Sequence, residues 1–445
     1  MCAHLWAPPL RSGIRLRSLD KFLAVNFLGF RGLSSHSAPE ATNLNKNEAE
    51  LSKDEFTLEN FYDWFRGFTD AEGCFSITHL RDKFWRFSFE IKLHIDDAKM
   101  LYFIHNTLEI GKVYISGTTC RFMVSKQSEV KKIIGIFIKY PLNSSKRLNF
   151  LTWMEAFKLY TEEGDNSVES TFNKIEALKA EMNTKRTDWT SGSSRTHIIN
   201  ITDYWFLGFV EGDGSWSVDK KNYLLSFSIA QSSKDLELME AIKNYLNNLN
   251  SHFNDVVSLV RHKNNKRVNQ SDMINLIVTK TEFIDQILVP FFQKMIWLSK
   301  KEMDFADWVS ILELKKLGLH HTEEGVVMIN RILSQMNNNR LSSSSSPQVD
   351  RDLLLCDLKV MLEGGSNYEF KPNGQIVIKS TGKFLKKGAP IGVLVLDENG
   401  DILNEFESIN TCGAYLGVSH QTIRSRLRDG KSIEFNSRLV YVKPK

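Results

Sequence analysis

Two carboxylates stand at matching places in a motif that this chain carries twice. The first copy reads Phe61-Tyr-Asp-Trp-Phe-Arg-Gly-Phe-Thr-Asp-Ala-Glu-Gly-Cys-Phe-Ser-Ile77, and the second reads Thr202-Asp-Tyr-Trp-Phe-Leu-Gly-Phe-Val-Glu-Gly-Asp-Gly-Ser-Trp-Ser-Val218. Trp64 matches Trp205, Gly67 matches Gly208, Phe68 matches Phe209, and Glu72 matches Asp213, all at one offset of 141 residues (214 − 73). Aromatic side chains recur at helical spacing ahead of each acid. Gly67 and Ala71 lie four apart, as do Gly208 and Gly212, which clears a strip along one helix face. Glycine inside a helix costs about 1 kcal/mol against alanine, so its use in both copies predicts that the two helices pack on each other. Gly73 and Gly214 are expected to stop the helices in the left-handed conformation, leaving Glu72 and Asp213 as the last helical residues. A carboxylate there opposes the helix dipole by about 0.3–1 kcal/mol. If the helices run parallel, the two acids meet, and two like charges beside two negative helix ends require a cation. Hard oxygen ligands suit magnesium, or calcium in a non-productive form. Two or more such ions, with water and phosphate in the open positions, are equipped for phosphodiester hydrolysis. The alternative, acids that simply face solvent, would not require two copies in register.

The elements that position these acids repeat as well. Phe87-Ser-Phe-Glu-Ile91 pairs with Leu225-Ser-Phe-Ser-Ile229, Val124-Ser-Lys126 with Val278-Thr-Lys280, and Ser145 to Trp153 with Lys300 to Trp308. Switching between helical and alternating periodicity predicts helix, two strands, helix, two strands, helix in each copy. The expected fold class is therefore α+β, with tandem αββαββα halves related by a pseudo-twofold axis. The expected divisions are a leader over 1–45, a first half over 56–160, a linker over 161–200, a second half over 201–316, a helical and serine-rich tether over 317–349, and a small module over 388–442.

At these residues the sequence resembles the LAGLIDADG homing endonucleases in their single-chain, two-motif form, with Phe65 to Gly73 and Phe206 to Gly214 as the nine-residue motifs. The resemblance covers roughly residues 56 to 316. It implies a helix–helix interface between halves, curved antiparallel sheets in the DNA major groove, and cleavage of both strands across the minor groove. It implies Glu72 and Asp213 as metal ligands, with the carbonyls of Ala71 and Gly212 as helpers. The family's basic residues, which activate water or stabilise phosphate, map to Lys146 and Lys301, with Lys300 a close competitor for the second; a solvated helix start remains the other reading. A polar residue that orients water maps to Gln231 in the second half, whereas the first half has Leu93 followed by His94. The halves are thus unequal at this position. Strand residues expected to face DNA are Arg81, Lys83, Arg86 and Lys92 in one half, and Lys220, Lys221, Arg261, Lys263, Lys266 and Arg267 in the other. Each taken singly could equally be a solvated surface charge.

The rest of the chain adds context. Its 445 residues, 42% hydrophobic and 25% charged, are enough for two or three domains with sizeable cores. A net charge of +4 is only mildly basic, so any nucleic-acid surface must come from charge distribution. Five cysteines without a CxxC pair argue against a disulfide framework or a zinc knuckle. No apolar run approaches the roughly 20 residues of a membrane span, and the expected form is a monomer. The first 36 residues carry five basic side chains and one acid among interleaved apolar residues, which reads as a mitochondrial transit peptide, a plastid one being the lesser option, or else a basic extension. Beyond the serine run 342–346, two short strands around Asn399-Gly400 precede helices capped by Ser408 and Ser419, with Gln421, Arg424, Arg426 and Arg428 on the second helix. This pattern resembles the nuclease-associated modular helix-turn-helix domains; a small protein-binding fold is the alternative. Three functions stay open at this level: a magnesium-dependent endonuclease for double-stranded DNA, a maturase that binds group I intron RNA, and a retired nuclease serving as a nucleic-acid-binding component of an organelle.

Overall fold

In the computed structural model, the described residues are 56–81, 84–162, 168–186, 189, 197–249, 253, 255–263, 272–347, 349–371, 375–387 and 392–445. The expected leader lies outside them. They form two units, one comprising residues up to Leu312 together with Asn330–Leu354, the other Glu313–Ile329 together with Leu355–Lys445.

The first unit holds the duplicated halves. Helix α1 (Leu58–Glu72) starts where the Thr57 side chain accepts the Asn60 N–H, and leads into β1 (Gly73–Arg81) and β2 (Phe84–His94). Then follow α2 (Ala98–Leu108), β3 (Lys112–Ser116), β4 (Thr119–Val124), α3 (Gln127–Lys139) and α4 (Lys146–Glu162). The second half repeats this order with α6 (Asp203–Asp213), β5 (Gly214–Val218), β6 (Leu225–Ser232), α7 (Leu236–Asn248), β7 (Val257–His262), β8 (Met273–Val278), a helix with a π turn at Ile284–Leu288, and α8 (Lys301–Lys316). Each sheet is fully antiparallel, in the orders β1-β2-β4-β3 and β5-β6-β8-β7. The expected α+β architecture of two αββαββα halves is therefore the observed one.

Helices α1 and α6 form the seam between the halves. A Cβ added to Gly67 would lie 2.1 Å from the Trp205 carbonyl oxygen, and one added to Gly208 would lie 2.2 Å from that of Trp64. These reciprocal approaches are what the glycine strip was expected to permit; a Cβ added to Gly212 would lie 2.2 Å from Ala71 Cβ, so the C-terminal ends also meet and the helices run parallel. The expectation for Gly73 and Gly214 needs correction. Both are extended, with φ −72° and −74°, so the left-handed conformation is not why glycine stands there. Crowding is the reason: a Cβ at Gly73 would lie 2.5 Å from Thr69 Cγ2, and one at Gly214 would lie 2.6 Å from the Val210 carbonyl oxygen.

The repeat also runs further than the sequence reading took it. The segment between the halves contains α5 (Val168–Ala180) and ends in Met182-Asn-Thr-Lys-Arg186; the segment after α8 ends in Met336-Asn-Asn-Asn-Arg340. Asn183 donates to the Phe75 carbonyl and Asn337 to the Trp216 carbonyl, at matching places in β1 and β5. Arg186 bonds Asn149 and Thr152 on α4, while Arg340 pairs with Asp304 and Asp307 on α8. Each half thus closes with the same strap, and Met182 and Met336 are both buried beneath it. The serine run, flexible by composition, is also anchored. Ser342 donates its N–H and hydroxyl to Asp96, and the Ser343 hydroxyl lies 2.8 Å from His94 Nε2.

The second unit contains most of α9 (Glu323–Leu333) and most of α10 (Arg351–Glu363), and the antiparallel sheet β11-β10-β9 over Phe384–Lys387, Gln375–Ile378 and Tyr368–Phe370. A second sheet, β13-β12-β15-β14, uses Ile402–Phe406, Val393–Leu396, Arg438–Pro444 and Ile433–Phe435. It packs on α11 (Ile409–Leu416) and α12 (His420–Asp429) around Val393, Cys412, Leu416, Ile423 and Val440. Ser408 and Ser419 cap these helices, and Gly417, at φ 68°, turns the chain between them.

Candidate active site and nucleic-acid interface

Glu72 and Asp213 are the last residues of α1 and α6, and both are half-buried. Burial, and then the neighbouring Asp213, push Glu72 above its ordinary value, against the pull of Lys146 and Lys301. Burial likewise raises Asp213, opposed by Lys146, a hydrogen bond from Gln231, and Lys301. The two acids are therefore electrostatic neighbours in a partly desolvated place.

Each acid is accompanied by one lysine. Lys146 Nζ donates to the carbonyls of Thr69 and Ala71; Lys301 Nζ donates to those of Val210, Gly212 and Gly214, at 3.3, 2.7 and 2.8 Å. Ammonium groups against helix C-terminal carbonyls satisfy those orphan acceptors and offset the dipole. The carbonyls of Ala71 and Gly212, expected to help hold metal, are thus occupied by lysine. Burial lowers both lysines, with Asp213 the first group opposing it in each case. Lys300, the competitor for the second lysine, is engaged elsewhere: it pairs with Asp96.

The halves differ around the acids. Gln231 Nε2 donates to Asp213 Oδ2 at 2.6 Å. In the β1–β2 pair Gly73 faces Ile91, and in β5–β6 Gly214 faces Ile229, so Leu93 holds the place of Gln231. Glu72 receives no amide from that position.

Four acids that the sequence reading passed over build the frame. Asp70 accepts the Asn143 and Ser144 amides at 2.9 and 2.8 Å, the Ser144 hydroxyl, and the Trp205 indole from the opposite half at 2.9 Å. Glu211 does the same with the Leu298 and Ser299 amides, at 2.9 and 2.6 Å, and the Trp64 indole. Asp235 then accepts the Ser145 amide across the seam at 2.6 Å, and Asp97 accepts that of Lys300 at 3.2 Å. Each lysine-bearing helix therefore begins on two carboxylates, one from each half. A signal was available: Asp70 and Glu211 keep the 141-residue offset (211 − 70) two places before Glu72 and Asp213.

The donor set fits a hard divalent ion. Two crowded carboxylates supply only oxygen, and among the described residues no group of three or more His, Cys, Asp or Glu forms a closed cage. Protein ligation would thus leave open positions for water and phosphate.

The basic residues expected to face DNA fall partly on the exposed sheet faces and partly at their margins. Arg81, Arg86 and Lys92 are exposed in the first half, and Lys220, Lys221, Arg261 and Lys263 in the second; Lys83, Lys266 and Arg267 lie outside the described residues. Arg86 and Lys92 stand within the sheet, whereas Lys220 and Lys221 lie in a turn and Arg261 and Lys263 at a strand end. The register adds Lys112, Tyr114 and Arg121, which the sequence reading missed because β3 and β4 were not read for charge. Arg121 faces Lys92 and Tyr114, ion-pairs with Glu90 at 3.3 Å, and sits 5.4 Å from the Tyr114 ring centroid. On α12, Gln421, Arg424 and Arg428 are exposed and Arg426 pairs with Asp429, while Ile423 is buried.

The comparisons with known proteins agree with this architecture. Residues 65–157 and 206–312 match the family model described as LAGLIDADG endonuclease. The chain is 24% identical over 403 residues to the "Uncharacterized mitochondrial protein RF1" of Saccharomyces cerevisiae, covering 86% of this chain and 82% of the relative. It is 27% identical over 297 residues to "Probable intron-encoded endonuclease 3" of Neurospora crassa, covering 60% of this chain and about half (53%) of that one. Among solved structures, the LAGLIDADG homing endonuclease I-GzeII in complex with its DNA target superposes with a TM-score of 0.53 at 25% identity, covering 62% of this chain and 99% of that one.

Proposed function

The two-motif core of this chain belongs to the LAGLIDADG homing endonuclease family, and from that premise we propose that it is a metal-dependent endonuclease acting on both strands of double-stranded DNA. The observation that carries the reading is the pair of in-register acids, Glu72 and Asp213, each ending a seam helix and each accompanied by a lysine. In this reading Glu72 and Asp213 hold magnesium. The ions would supply Lewis-acid stabilisation of the phosphoryl oxygens and a nucleophilic water near neutral pH. Lys146 and Lys301, held at the helix-end carbonyls beside the acids, would offer positive charge to the phosphates flanking the scissile bonds. Gln231 orients water on one strand. Leu93 has no hydrogen bond to offer the other, so the two strands are cut at unequal rates.

The exposed sheet faces grip the duplex, with the basic residues at their margins taking phosphate. The helix-turn-helix of the second unit, with Gln421, Arg424, Arg426 and Arg428, provides a further DNA contact. The protein acts as a monomer, since one chain supplies both halves, and works in mitochondria; the leader and the yeast relative's name support that location.

The test is direct. The purified chain is incubated with magnesium and a randomised duplex library, and the new ends are sequenced. Cleavage at a discrete site, reduced at least about a hundredfold by Glu72→Gln or Asp213→Asn, is the expected result. No cleavage, or cleavage indifferent to both changes, would refute the reading. Group I intron splicing stimulated equally by both variants would establish the RNA maturase role instead.

A further inference from the structure

The two exposed sheet faces are built in the same register from different chemistry. In the first half, one row across the strands reads Cys74, Glu90, Met123, Lys112, and the next reads Lys92, Arg121, Tyr114. The second half places Ser215, Ser228, Ile277, Ser258 in the equivalent row, then Ala230, Asn275, Val260. Every charged side chain of these rows lies in the first half. Among the second half's described strand residues on this face, none is Lys, Arg, Asp or Glu; its basic residues stand at the margin, in the Lys220–Lys221 turn and at Arg261 and Lys263.

We propose that the two sheets read chemically different half-sites, the first requiring G·C pairs and the second requiring A·T pairs. This rests on the duplex-binding reading above. In the major groove, guanine offers two acceptors suited to Arg or Lys, and cytosine offers an amino group suited to a carboxylate. Arg121 and Glu90 are that pair of readers, already oriented by their mutual ion pair and by Tyr114, with Lys92 directly across from Arg121. Thymine offers a methyl group, and adenine a donor–acceptor pair that an Asn amide matches. Asn275 supplies the amide, and Ala230 and Val260, which flank it across the register, supply the apolar contact. The serines hydrogen-bond to either base and discriminate less. Marginal lysines and arginines give the second half affinity without sequence information.

The experiment retains randomised duplexes on the full chain in calcium and sequences what is bound, for the wild type and for Arg121→Ala, Lys92→Ala and Asn275→Ala. Unfolding temperature is measured on each variant; the exposed Lys92 and Arg121 and the half-buried, outward-facing Asn275 should leave it unchanged. The expected result is a site with one G·C-bearing arm and one A·T-rich arm. Arg121→Ala or Lys92→Ala should relax the G·C arm on the order of tenfold per position and leave the other arm as it was. Asn275→Ala should do the converse. Arms of equal composition, or arms that respond to Arg424→Ala but to no sheet variant, would overturn the inference while leaving the endonuclease reading intact. Failure to retain any duplex would overturn both.

Discussion

The first and second halves are alike where they touch and unlike where they face outward. At the seam, Gly67 answers Gly208, Asp70 answers Glu211, and each buried acid takes the indole of the other half. At the site, Gln231 supports Asp213 but Leu93 offers Glu72 nothing polar. Further out, Asp96 pairs with Lys300, while the equivalent residue of the second half, Lys234, lies 3.8 Å from the centroid of the Trp189 ring. A duplicated chain keeps its symmetry where both copies must fit one interface. It is free to lose symmetry where each copy meets a different stretch of a ligand or of its own tail.

The seam should be the place where equivalent changes have equal and large effects. Gly67→Ala and Gly208→Ala each force a Cβ into a backbone carbonyl that cannot move aside, and each is expected to cost about 3 kcal/mol or more in denaturant unfolding. A large loss from one and none from the other would end the claim of a symmetric seam. Glu211 gives the seam a pH signature. Burial raises its pKa to about 7, against hydrogen bonds from Ser299, Trp64 and Leu298. A carboxyl raised on folding favours the folded state in its protonated form. Its contribution is thus full below about 4.5, its unfolded value, and is lost as pH rises through about 7. The expected decline is on the order of 3 kcal/mol across that window, read as unfolding free energy against pH. Glu211→Gln should flatten it.

The outward differences should give smaller and unequal effects. Gln231→Leu is expected to slow cutting of one strand by about tenfold, and Leu93→Gln to speed the other, in strand-specific single-turnover assays. Equal effects on both strands would remove the asymmetry of the site. Smallest of all, Lys300→Ala should cost about 1 kcal/mol of stability or less, since Asp96 keeps its bonds from Ser342. Its cleavage rate should stay close to that of the wild type, whereas Lys301→Ala should lose about tenfold or more.

Much of this was legible in the residues because repetition marks constraint without any alignment. Glu72, Asp213 and the glycine strip could be read from one offset. Asp70 and Glu211 share that offset, yet a carboxylate inside a motif helix shows no partner until the amides of 143–144 and 298–299 are brought to it. The Met-Asn-x-x-Arg straps repeat too, but they lie in segments whose polar composition suggested linkers. Their order comes from contacts to strands more than a hundred residues away along the chain, as in Asn183 to Phe75 and Asn337 to Trp216.

By itself, the sequence determined the duplication, the strand and helix order within each half, and the two acids at helix ends, because periodicity and small-residue spacing are local properties. Only the tertiary structure decided between Lys300 and Lys301 beside Asp213, why Gly73 and Gly214 must be glycine, and that the two sheet faces differ in charge. Those outcomes depend on which backbone carbonyl, carboxylate or neighbouring strand comes within a few ångströms, and a linear pattern does not carry that information.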